Sequence, residues 1–184
     1  MGLDMYLEAK RYIGNFNEED KVLNKKVKEL FPEIAKAGQT GNLEYAEVSF
    51  EVGYWRKANQ IHQWFVANCQ DGKDDCRKAY VSRDNLKELL NICKEILSKS
   101  KLKKAMVTNG YSFKDGKEIP NMEEGKVIMN PKVAQELLPT QKGFFFGSTD
   151  YNEWYLDDIK NTVTIIERCL KLPKGYDFSY HSSW

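Results

Sequence analysis

Apolar and polar residues alternate along Leu3-Asp4-Met5-Tyr6-Leu7, the period of a half-buried strand, which puts Asp4 and Tyr6 on one face. From Glu18 to about Ala37 the spacing changes. Leu23, Val27, Leu30 and Ile34 recur at three and four with acidic residues in the first turn, and this predicts one amphipathic helix. Gly38 and the run Gln39-Thr40-Gly41-Asn42 end it. Tyr45 to Tyr54 alternates again. Val48, Phe50, Val52 and Tyr54 are expected on one side of a strand, and Glu47, Ser49 and Glu51 on its wet side.

Trp55 opens a second helical stripe, with Ala58, Ile61, His62, Phe65, Val66 and Cys69, closed by the turn signal Asp71-Gly72. Ser82 reads as the N-cap of a third helix, whose face is Leu86, Leu89, Leu90, Cys93, Ile96 and Leu97. Between about 99 and 129 the turn signals Asn109-Gly110 and Asp115-Gly116 favour a β-hairpin excursion. Asn130-Pro131 starts a short helix ending near Leu138. Asp150 and Glu153 form a capping-box-like pair ahead of a last helix with the stripe Tyr155, Ile159, Val163, Ile166 and Leu170. Tyr176 to His181 alternates as a closing strand.

Strands and helices are mixed without a regular βαβ repeat. The expected class is therefore α+β, a small, mainly antiparallel sheet packed against four or five amphipathic helices. At 184 residues the chain can bury a core without staples, and a single domain over 1–184 is the default.

Charge removes several functions. Lysine and arginine number 28 against 27 aspartates and glutamates, so no global field draws in nucleic acid or an anionic membrane. The lysines from Lys99 to Lys104 read as a solvated helix end before a nucleic-acid patch. No apolar stretch approaches the roughly 20 residues of a membrane helix, and no basic start precedes an apolar run. A reducing cytoplasm is expected. Cys69, Cys76, Cys93 and Cys169 contain no C-x-x-C pair, so they read as small apolar groups and no zinc site. With only His62 and His181 in the chain, neither a metal nor a cofactor is expected, and no catalytic residue is assigned.

Three segments remain as candidate chemistry. Read as a helix, the run from Tyr54 to Phe65 puts Trp55, Asn59 and His62 on one flank, offering a stacking ring and two hydrogen-bonding groups to a ligand. Arg56 adds a planar donor fork for phosphate or carboxylate. The alternative is a satisfied core histidine among buried tryptophans. The run from Pro139 to Asp150 holds Thr140 and Gln141, and in it Gly147 followed by the hydroxyls of Ser148 and Thr149 stands at a helix start, where free N–H groups favour an anion. Against that stands Asp150, whose carboxylate would take the cap. Asp74 and Asp75 read as a turn and a following cap, and adjacent Asp157 and Asp158 point too far apart to share a metal.

The start Met1-Gly2-Leu3-Asp4-Met5-Tyr6-Leu7, the run Tyr54-Trp55-Arg56-Lys57-Ala58-Asn59-Gln60-Ile61-His62-Gln63-Trp64-Phe65, the loop Gln70-Asp71-Gly72 with Asp74-Asp75-Cys76, the block from Leu137 to Thr149 and the end Ser182-Ser183-Trp184 together resemble a widespread family of small, uncharacterised bacteriophage proteins. The chain departs from that pattern between about Lys99 and Met129. The resemblance implies a role in the host cytoplasm during infection. It favours a non-catalytic protein that binds and sequesters a small phosphorylated or nucleotide-like ligand, such as a host immune signal; the pocket read from the residues themselves is Trp55, Arg56, Asn59 and His62 with Thr140, Gln141 and Ser148. Two alternatives stay open: an enzyme acting on such a nucleotide with His62 as acid or base and Asp74 or Asp4 orienting it, and an inhibitor of a host protein. A homo-oligomer is compatible with all three.

Overall fold

The computed structural model describes residues 2–37, 45–114, 116–143 and 146–184, and for 35, 111, 113 and 118 the backbone alone. The class is α+β. Four strands form an antiparallel sheet in the order β2-β1-β6-β3, and β4 and β5 form a separate two-stranded sheet. In chain order these are β1 (Asp4–Ile13), β2 (Ala46–Arg56), β3 (Ala79–Val81), β4 (Leu102–Lys114), β5 (Lys117–Ile128) and β6 (Tyr176–Ser183). Six helices lie among the described residues: α1 (Glu18–Leu30), α2 (Pro32–Ala37), α3 (Asn59–Cys69), α4 (Arg83–Lys99), α5 (Lys132–Leu137) and α6 (Glu153–Leu170). None of them is long and apolar enough to cross a membrane.

Alternation along β1 sends Leu3, Met5, Leu7 and Ala9 into a core closed by α3, α4 and α6, where Ile61, Phe65, Leu86, Leu89, Ile159 and Ile166 meet them. Phe178 and Tyr180 join from β6. The other face of the sheet carries Asp4, Tyr6, Glu8 and Lys10, with Tyr6 stacked on His181 at 4.9 Å. Helix α4 starts where the sequence predicts, because Ser82 Oγ accepts from Asn85 N at 3.0 Å.

The expected single helix over Glu18–Ala37 is two. Pro32 lacks the N–H and crowds the preceding turn, so α1 ends at Leu30 and α2 begins at Pro32. Its stripe is not core either. Leu23 and Val27 are half-buried while Leu30 and Ile34 are exposed. The buried face of α1 instead carries Asp20, whose carboxylate pairs with Arg11 at 2.9 Å. The predicted stop from Gly38 to Asn42 lies outside the described residues.

In β2 the alternation does not run through. Leu7 pairs with Gly53 and Glu8 with Glu51, so Val52 is an extra residue in a bulge. The bulge puts Phe50 and Tyr54 on opposite faces and turns Gly53 and Trp55 into the core. The strand also continues to Arg56, and the next helix opens only at Asn59. Trp55 and Arg56 are therefore strand residues, and the expected helical flank 55-59-62 does not exist.

The hairpin at about 99–129 is present as β4 and β5, although Asn109-Gly110 makes a bulge in it and no turn. Helix α6 is capped by Asn152, whose Oδ1 accepts from Tyr155 N at 3.2 Å, and Asp150 takes no part in that cap. Asn130 accepts from Lys132 N at 3.3 Å ahead of α5. From Pro139 to Tyr151 the described residues belong to no strand or helix.

Candidate functional site

The site grows from the joint between β2 and α3. Lys57 holds a left-handed backbone with φ of 59°, a conformation costing about 1 kcal/mol or more that persists only when its surroundings fix it. Lys57 N donates to Leu3 O at 2.8 Å, and Asn59 N donates back to Lys57 O at 2.9 Å. This reversal turns the chain from strand to helix within three residues.

Asn59 then organises the loop from Pro139 to Tyr151. Its buried side chain donates to Phe146 O at 3.1 Å and Ser148 O at 2.9 Å, and accepts from Gln141 N at 2.8 Å. Gly147 closes against the joint. Its φ is 94°, and a Cβ there would lie 2.9 Å from Lys57 Cβ. Thr140 ties the loop's other side, donating from Oγ1 to Thr149 O at 3.0 Å.

Between this loop, the start of α3, the first turns of α6 and the bulge of β4 lies a cleft of about 1150 Å³. Its lining includes Arg56, Lys57 and Lys142, three cations with no ion pair among the described residues, and the half-exposed ring of Trp154. Trp154 and Asp158 stand one turn apart on α6, on one face. Asp158 lines the cleft as well and accepts from Gln60 Nε2 at 3.2 Å. No cation stands against Asp158 among the described residues. Burial pushes its carboxyl up to about 6, against the pull of the Gln60 amide, while neighbouring Asp157 adds a smaller push upward. Asp157 itself turns outward to Lys160 at 2.8 Å. Asn152 lines the cleft too, and its Nδ2, closed off from solvent, has no hydrogen-bond partner among the described residues.

A smaller cavity of about 480 Å³ lies on the far side of the same loop, lined by Gln63, Asp74, Gln141, Lys142, Phe146 and Trp184 among others. Behind it runs a chain of hydrogen bonds. Tyr180 O–H faces His62 Nδ1 at 2.8 Å, His62 Nε2 faces Asp74 Oδ2 at 2.9 Å, and Trp184 Nε1 donates to Asp74 Oδ1 at 3.0 Å. Burial raises the Tyr180 hydroxyl well above its ordinary range, so it keeps its proton; the tautomer of His62 that carries Nε2–H toward the Asp74 carboxylate accepts from that hydroxyl at Nδ1. His62 is 0% exposed. It orients Asp74 and reaches no solvent.

The seven residues proposed from sequence thus separate. Arg56, Thr140 and Ser148 line the large cleft, and Gln141 lines the small cavity. Asn59 spends its polar atoms on the loop backbone. Trp55, 2% exposed, donates from Nε1 to Thr162 Oγ1 at 2.9 Å and packs on Phe65. With His62 it belongs to the core. The exposed aromatic ring of the cleft is Trp154, beside the buried Phe146 and Tyr155, and its floor is Gln60 of α3 and Asp158; Trp154 and Asp158 escape the sequence pattern because they flank the apolar stripe of α6. Lys57, beside Arg56 in sequence, and Lys142, beside Gln141, carry a signal in their adjacency alone.

The buried thiols, Cys93 and Cys169, stay out of this chemistry. Burial pushes Cys93 up to about 12 and Cys169 up to about 11, far from the thiolate range. No protein-family model, curated protein or solved structure matches the chain, so the functional reading rests on the cleft.

Proposed function

We propose that this protein captures a small phosphorylated, nucleotide-like ligand in the large cleft and holds it without converting it. One observation carries the reading: Arg56, Lys57 and Lys142, none of them ion-paired among the described residues, share a cleft with the exposed ring of Trp154. A guanidinium fork and two ammonium groups suit phosphate oxygens, and an indole face suits a base. The resemblance to bacteriophage proteins favours an infected cell as the setting and a host nucleotide signal as the ligand, which sequestration would remove.

The test is a thermal-shift panel of cyclic and ADP-ribose-type nucleotides carrying guanine or adenine, followed by heating the complex and chromatography of what is released. Stabilisation with intact release supports capture. A flat response across the panel removes it.

A hydrolytic reading is favoured by one feature only, the carboxyl of Asp158 in the cleft with its raised titration. Acid–base work by His62 has no route to a substrate through 0% exposure. Altered nucleotide in the released fraction, lost in Asp158→Asn, would replace capture by catalysis.

A further inference from the structure

The floor of the cleft differs in chemistry from its rim, and the difference selects among ligands. Gln60 Nε2 donates to Asp158 Oδ2, and the complementary atoms, Asp158 Oδ1 and Gln60 Oε1, have no partner among the described residues. The floor therefore presents acceptors, while Arg56, Lys57 and Lys142 around it present donors. A ligand that fits both ends is anionic at one end and rich in N–H at the other.

Among the common bases only guanine carries two adjacent N–H donors on its pairing edge, N1–H and the 2-amino group. Adenine sets an acceptor beside its amino group, cytosine does the same, and uracil has one N–H between two carbonyls. An ionised carboxylate accepts on both oxygens and matches the guanine pair, whereas each of the other edges would bring at least one acceptor against Asp158. No cation among the described residues pairs with Asp158, so donors on the ligand are what would compensate its burial.

We infer that Asp158, held in place by Gln60, is the specificity determinant of the cleft and selects a guanine nucleotide by accepting from N1–H and the 2-amino group. This rests on the capture reading and narrows it to one base. Trp154, one turn before Asp158 on α6, is placed to cover the face of the base whose edge Asp158 reads, and the three cations are left for the phosphates.

Isothermal titration of the full chain at pH 7.5 with GMP, IMP and AMP tests it. GMP is expected to bind about tenfold or more tightly than AMP, the scale of one charge-assisted hydrogen bond. IMP keeps N1–H and lacks the 2-amino group, so it falls between them. Asp158→Asn, nearly isosteric and still able to accept from Gln60, should bring GMP down to the level of AMP, with a melting curve confirming that the variant is folded. Equal binding of the three nucleotides, or a preference that survives Asp158→Asn, overturns the specificity and leaves capture standing. Binding of none of them overturns the guanine assignment, and a flat response across the wider panel overturns capture with it.

Discussion

Asn59 Nδ2 donates to the carbonyl of Ser148 at 2.9 Å across 89 positions of sequence. With its bonds to Phe146 and Gln141, it makes the first residue of α3 the anchor of the loop that divides the two cavities.

Asn59→Ala should cost about 2–4 kcal/mol, because three backbone groups under the loop lose their partner together. Urea unfolding measures it. A loss within 0.5 kcal/mol would mean that water takes over these bonds and the anchor is incidental.

Two glycines with positive φ separate strain from contact. Gly110 at 79° has open space around it, whereas Gly147 at 94° lies against Lys57. Gly110→Ala should cost about 1 kcal/mol and Gly147→Ala about 2 or more, the second adding a steric clash to the same backbone penalty. Thermal melts of the pair should rank them in that order, and equal shifts would deny the close approach.

Arg56→Ala and Lys142→Ala remove exposed cations without ion pairs, so each should move stability by no more than about 0.5 kcal/mol. Ligand-induced stabilisation should nevertheless fall in both, and in the unaltered protein it should weaken with added salt. Full retention of that stabilisation in the double variant would place the ligand elsewhere.

Asp158 makes stability depend on pH. Its carboxyl titrates at about 6 in the fold against an ordinary 3.8, so between those values the folded chain holds a proton that the unfolded chain has released. The contribution is full below about pH 4 and is lost as pH rises through 6, amounting to about 2–3 kcal/mol at most. Asp158→Asn, which cannot ionise, should gain on the unaltered protein from pH 4 to 7.5. Urea midpoints at the two pH values check the sign, and a constant difference would show that the carboxyl is solvated.

Much of the scaffold was legible because it is encoded by neighbours. Ser82 before Leu86, Leu89, Cys93 and Ile96 announces α4, and alternation from Tyr176 announces β6. Pro32 was readable too, and it outweighs the apolar spacing of Leu30 and Ile34 because a missing N–H cannot be offset by a stripe. Trp55 was misplaced for a subtler reason. The last core residue of β2 and the buried residue that caps α3, three positions apart at Trp55 and Ala58, imitate one helical period, and the bulge at Val52 that turns Trp55 inward leaves no local mark.

By itself the sequence determined the α+β class, most of the elements and the polar segments around residues 56 and 140. Tertiary structure alone decided which of those polar groups share water. Periodicity reports only which side of an element is apolar, whereas a cleft is made by pairing distant elements, as Gln60 meets Asp158 across 98 positions. That packing sealed His62 and Trp55 away and brought Trp154 to the opening in their place.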